Sequence, residues 1–357
     1  MKSGLTIQEL AAEILRQKDS KEDYIVNTRC LQMEPSGSDV VLRVLDESAG
    51  DRIEPLDIGP NAHRQIGTHL FIPAKYYTKM REEDPELLSM NVNRWFERSD
   101  SQRMLRVLDG CARAYLSNRY LRVDHMQIAE AVLPIIGDMK DARVESCQIT
   151  EDRMYIKVVN PRLQQEVVPG DIVKAGISIS NSEVGLGSVN IQPLVYRLVC
   201  SNGMVVNDAA TRRNHVGRVN SADENFLLYS AETLAADDHA FLLKIQDTVR
   251  TVVDEVKFNR VVGMMQEAAN AQMNTANVPE VVRLASHDFG LTDEEHPGVL
   301  QYLIEGKDLT LYGLANAVTR YSQDVESYDW ATELESIGYN ILSMPAKRWN
   351  SINQMAA

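Results

Sequence analysis

The period of the hydrophobic residues changes along this chain, and that change limits the folds open to it. Between about Arg103 and Val206, short runs such as MLRVLDG, AYLSN, RVESCQI, MYIKVVN and IVKAGISI are β-rich and end on Gly, Asn, Asp or Pro. Runs of this length and composition read as strands. One stretch among them, HMQIAEAVLPII, is helix-like instead. After about Asp223 nearly everything is helical, with Leu242, Ile245, Val249, Val252 and Val253 on one face of a long segment. Strands follow strands here, without the strand–helix alternation of a doubly wound sheet. The expected fold class is α+β: an antiparallel β-rich central core with a helix packed across it, plus helical N-terminal and C-terminal regions.

That pattern divides the chain into a mostly helical region at 1–100, a β-rich core at 101–222 and a helical region at 223–357. In the first, Thr6 and Glu9 of TIQE form a capping box before an amphipathic helix. Pro73 and Pro85 suit the first turns of two further helices. Thr292 to Glu295, TDEE, is a second capping box. In the core, Pro193 marks its strand as an edge or a bulge. Asn202-Gly203, between LVC and MVV, predicts a hairpin turn centred on those two residues with positive φ at both.

Composition of 44% hydrophobic and 25% charged residues is that of a folded globular protein. A formal net charge of −14 argues against a protein that coats nucleic acid with its whole surface. A local basic site remains open, because charges beyond a Debye length of about 8 Å are largely screened. Cys30, Cys111, Cys147 and Cys200 lie far apart with no CxxC pair, unlike a zinc site or a dense disulfide framework. The opening MKSGLTIQEL lacks an apolar signal core, and no later run approaches the roughly 18 apolar residues of a membrane span. A cytoplasmic protein without membrane contact, metal or cofactor is expected.

No catalytic motif emerges. Cys200 and His215 can meet across the hairpin as nucleophile and base, but Cys200 ends a hydrophobic strand, where cysteine is usually buried. The histidines show no HExxH, and GLGS at Gly185 to Ser188 lacks the lysine and length of a phosphate-binding loop. The arginines are more unusual. Arg94 to Arg122 holds seven against Glu97, Asp100 and Asp109, a local +4. Leu194 to Arg218 holds Arg197, Arg212, Arg213 and Arg218 against Asp208, a local +3. Arginine suits forked contacts to phosphate, and Tyr115, Tyr120 and Tyr196 interleave with both runs. The same arginines equally suit pairing with acidic neighbours on a sheet surface or subunit interface.

NSEVG, then LVYRLVCSNGM, then NHVGR resemble the phage- and plasmid-borne family catalogued as domain of unknown function 932. YLSNRYLRVD upstream and LYGLANAVTRYSQDVESYDWATELESIGYNIL downstream extend the likeness from about Asn61 to Trp349. The family brings no established activity. At the level of strand order, its core is similar to the single-strand annealing proteins of phage recombination, an analogy between folds. The analogy implies a non-catalytic, oligomeric protein that binds single-stranded DNA and anneals it inside a bacterial host, with phage or host recombination proteins as possible partners. Arg103, Arg106, Arg113, Arg119 and Arg122 would line one edge of a groove. Arg212, Arg213, His215 and Arg218 would close it from the post-hairpin loop, Arg197 would also contact the nucleic acid, and Tyr120 would stack on a base. The alternative is a phage accessory protein acting through protein contacts, such as a host-defence antagonist.

Overall fold

The computed structural model describes residues 1–45, 54–118, 120, 122–187, 189–207 and 231–356. Helix α1, Ile7–Ser20, starts on the expected capping box, with the Thr6 hydroxyl accepting from the Glu9 backbone N–H. It leads into β1, Lys21–Asn27, then β2, Leu31–Ser36, β3, Asp39–Val44, and β4, Leu56–Ile58. Three helices follow: α2, Pro60–His69, α3, Ala74–Glu83, which begins just after Pro73 as its N-cap, and α4, Pro85–Arg98, which begins at the expected proline. Strands β5, Gln102–Leu108, and β6, Cys111–Ser117, complete a six-stranded sheet of order β1-β5-β6-β4-β3-β2. Leu42, Leu105, Val107 and Tyr115 on one face of it are buried with Ile66, Leu88 and Phe96 of the helices.

This sheet corrects one expectation. Four strands accompany the helices of the first hundred residues, and β5 and β6 pair with β1 and β4 instead of joining the later strands. The boundary expected at 100/101 therefore falls inside a sheet. No local signal marks it, because strand pairing between distant segments leaves no trace in periodicity.

The second sheet is an antiparallel meander of order β11-β10-β9-β8-β7. Its strands are β7, Arg143–Ile149, β8, Met154–Val168, β9, Asp171–Asn181, β10, Asn190–Arg197, and β11, Asn202–Val205. Helix α5, His125–Asp138, packs across it as expected, burying Ile128, Val132 and Ile135 with Ile156, Val158, Ile177 and Ile179. Helix α6, Ala231–Val252, adds Ile245, Val249 and Val252 to the same cluster, the face read from its spacing. Helices α7, Glu255–Asn270, α8, Val278–Asp288, α9, His296–Gly306, α10, Leu311–Tyr321, α11, Tyr328–Leu342, and α12, Ala346–Met355, complete the helical C-terminal region. TDEE does not cap a helix: Glu295 accepts from the Thr292 N–H at 2.8 Å within a turn, and α9 begins after Glu295 with no side-chain cap.

The β10–β11 hairpin forms, but its turn is not where Asn-Gly placed it. Arg197 faces Asn202 across the ladder, so residues 198–201 make the turn, with Ser201 at φ +51°. Asn202 begins β11, buried, with its amide donating to Thr319. Gly203 has no positive φ; it is needed because a Cβ there would meet the Met1 side chain at 2.4 Å. Pro193 sits in an inner strand, yet costs no ladder bond. Its carbonyl accepts from Val206 just past the end of β11, so the missing N–H falls where that ladder stops. Among the described residues no helix is long and apolar enough to cross a membrane.

Candidate functional site

The NSEVG stretch leaves β9 and enters the space between the sheets, carrying Glu183 to the start of α5. The side chain of Glu183 is 1% exposed. It accepts from Lys21 Nζ at 2.7 Å, Arg113 Nη2 at 2.6 Å and the His125 backbone N–H at 2.7 Å. The last is the first N–H of a helix, where a carboxylate also gains from the helix dipole. Beside it Arg106, fully buried, is a hub. Its Nε meets Asp23 at 3.0 Å, its Nη2 meets Asp124 at 2.5 Å, and its Nη1 donates to the Glu183 carbonyl at 3.2 Å.

Local rules explain how these side chains meet. Asp23 and Arg106 are cross-strand partners in the β1–β5 ladder. The β5–β6 register shifts between Arg106 and Val107, leaving Arg113 unpaired in the ladder. Such a bulge re-aims a side chain, here towards Glu183. Asp124 caps α5 in a box with Gln127. Tyr120 lies on the flank, its hydroxyl donating to the Ser182 carbonyl at 3.3 Å. Arg122 reaches Asp23 at 3.4 Å while 54% of its side chain stays in solvent.

Burial alone would raise the Glu183 carboxyl. His125 and the cations Lys21, Arg113 and Arg106 reverse that and hold its pKa well below the usual carboxylate range. His125 stays neutral: burial, helped by Lys21 and Arg113, lowers its pKa to about 4 against the pull of Glu183. The Asn181 amide, 3.0 Å from His125 Nδ1, donates to it, which suits a neutral ring. His63 is likewise lowered to about 4, first by burial and then by Arg81.

Both histidines therefore couple stability to pH. An unfolded histidine takes up a proton near pH 6.5 and these folded ones do not, so stability falls as pH drops from about 6.5 towards 4. At pH 5 the expected loss is about 2 kcal/mol for each of His63 and His125. Denaturant midpoints at pH 7 and pH 5 check this, and equal midpoints would contradict it. Glu183 acts lower, losing its stabilising effect only as pH falls below the range of an ordinary carboxyl.

The expected groove edge does not form. Arg106 and Arg113 are neutralised inside the protein and offer nothing to a phosphate, which corrects their assignment. Arg197 is corrected in the same way: it pairs with Asp171 at 2.7 Å and lies over the Tyr312 ring at 5.7 Å, in the second sheet. Arg103 stands on the opposite face of the first sheet from Arg106, over the ring of Tyr115 at 5.3 Å. Its Nε is buried without an acceptor, and no ion pair reaches it among the described residues. Arg119, Arg212, Arg213, His215 and Arg218 lie outside the described residues, as does the pairing of Cys200 with His215. Among the described residues no group of three or more His, Cys, Asp or Glu side chains is placed to hold a metal.

Sequence reasoning missed Lys21, Asp23, Asp124 and Glu183. Glu183 had a signal: it is the lone charge between the strand KAGISISN and the glycines of VGLG. Gly185 in that turn has φ +79°, and an added Cβ would meet Leu116 at 2.5 Å. Gly185→Ala should cost about 1–3 kcal/mol through strain and collision. A denaturant midpoint within error of the native chain would remove that requirement.

The fold and site together define an α+β protein whose two sheets are joined through a buried, nearly balanced charge cluster. A family model described as Domain of unknown function (DUF932) matches residues 114–344, and the chain belongs to that family. The match covers the second sheet, α5 and most of the C-terminal helices, and it includes Glu183. No curated protein and no solved structure matches the chain.

Proposed function

We propose that the chain is a non-catalytic phage or plasmid protein that binds and anneals single-stranded DNA as a homo-oligomer in the bacterial cytoplasm. The DNA contacts come from the cluster's exposed edge at Arg122 and from cations beyond the cluster. The observation that supports this is the uneven count at its solvent edge. Among the described residues, Lys21, Arg106, Arg113 and Arg122 form ion pairs with Asp23, Asp124 and Glu183, four positive charges to three negative, and Arg122 is the most exposed of the four. An acidic protein thus keeps a surplus positive charge at one outward point. Arg119 is near it in sequence, and Arg212, Arg213, His215 and Arg218 add a second cationic run. Tyr120, held against the Ser182 carbonyl, is withdrawn from base stacking in this reading.

The test is a mobility shift and complementary-strand annealing assay on the native chain, Arg122→Ala and Arg212→Ala/Arg213→Ala. Both variants should bind and anneal more weakly while melting like the parent. Unchanged behaviour in both would refute the reading. A second reading, an accessory protein acting through protein contacts, draws on the apolar side chains left in solvent: Phe71 at 93%, Met90 at 71% and Trp95 at 44% exposure. Recovery of one host protein, with no shift of single strands, would favour it.

A further inference from the structure

Helices α2 and α3 lie against each other and leave a cleft of about 630 Å³ between them, floored by the start of β3. Small-molecule sites commonly occupy about 300–1,000 Å³. Arg64 and Gly67 line it from α2, Tyr77 and Arg81 from α3, and Asp39 from below. His63 also lines it, with a side chain only 5% exposed. Its Nδ1 is 2.9 Å from the Tyr77 hydroxyl, while Nε2 has no hydrogen-bond partner and stands 4.0 Å from Asp39.

Burial raises the Tyr77 phenol, so its hydroxyl stays protonated and pairs with His63 Nδ1 as donor or acceptor according to the ring tautomer. In either tautomer Nε2 is left buried without a partner, as a donor in one and an acceptor in the other. Asp39 does not relieve it, because Arg81 holds that carboxylate with Nε at 2.8 Å and a second bond from Nη2. Leaving a buried polar atom unpaired costs free energy that a complementary ligand atom would recover. At the mouth, Arg64 is exposed, donates one bond to Asn61 at 2.7 Å, and makes no ion pair among the described residues. Across the cleft stands Glu82 on α3. Arg64 and Arg81 against Asp39 and Glu82 sum to zero, which favours a singly charged ligand over a dianion.

We propose that this cleft binds a singly charged, nucleotide-sized organic anion, with Arg64 meeting the anionic group and His63 Nε2 pairing with a polar atom deeper in the ligand. The Tyr77 ring forms one wall. Gly67 allows that wall to approach, since a Cβ there would already touch the ring at 3.0 Å. The site shares no residue with the Glu183 cluster, so its failure would leave the DNA reading untouched.

Calorimetric titration of the full chain with 3′,5′-cyclic AMP, 3′,5′-cyclic GMP, AMP and inorganic phosphate tests it. At least one cyclic nucleotide should bind more tightly than AMP or phosphate. Arg64→Ala, a surface change, should weaken binding about tenfold or more. His63→Gln and Tyr77→Phe should weaken it as well, each compared at matched thermal stability. No binding of any probe would overturn the proposal. So would equal binding of phosphate, or an affinity unchanged by Arg64→Ala.

Discussion

A chain carrying Glu183→Ala should lose about 3–5 kcal/mol of stability, the cost of breaking a buried charge pair from one side. The physical argument is the inventory left behind. Lys21 and Arg113, with side chains 11% and 12% exposed, would lose the carboxylate that neutralises them, and the His125 N–H would lose its acceptor. Three largely buried cations, Lys21, Arg106 and Arg113, with the half-exposed Arg122 at their edge, would then face two carboxylates. Glu183→Gln should cost less, because an amide oxygen can still accept from the His125 N–H. Guanidinium-chloride unfolding of the three proteins measures this. A loss below about 1 kcal/mol for the alanine variant would mean that the cluster is solvated and does not join the sheets.

The second large effect is expected at Lys157. Its ammonium is fully buried between β8 and α11, donating to Glu335 at 2.7 Å and Thr332 at 2.9 Å, over the Tyr328 ring at 4.7 Å. Glu335 is equally buried, and its second carboxylate oxygen has no partner. Removing the lysine alone strands that anion in an apolar interior, so Lys157→Ala should also cost about 3–5 kcal/mol. Replacing both partners is a different experiment. Lys157→Met with Glu335→Leu removes the desolvation cost of two ions together and should return most of the lost stability. Recovery in the double variant separates a charge effect from a simple cavity. If it is as unstable as Lys157→Ala, packing and not the ion pair governs this site.

The elements were legible wherever the rule behind them is local. The strands from MLRVLDG to IVKAGISI, the capping box at Thr6 and the buried face of α6 depend on residues a few positions apart. Asn202-Gly203 misled for a related reason: the dipeptide favours a turn, but burial of Asn202 beside Thr319 and the tight approach to Gly203 suit a strand. The site was less legible. Counting charge within a run made Arg94 to Arg122 look unpaired, whereas the partners of Arg106 and Arg113 are Asp23 and Glu183, 83 and 70 residues away. Strand pairing brings Asp23 to Arg106, and the approach of the two sheets brings Glu183 to Arg113; no periodicity encodes either.

The central claim is that exposed cations, not the arginines of the buried cluster, hold a single strand of DNA. It is tested most directly by the salt dependence of affinity for a labelled oligonucleotide, measured on the native chain and on Arg122→Ala. If three or four phosphates are neutralised per subunit, log affinity should fall against log salt with a slope of about −2 to −3, and Arg122→Ala should flatten it by about 0.7. An affinity that does not change with salt, or an Arg122→Ala slope equal to the native one, would contradict the account.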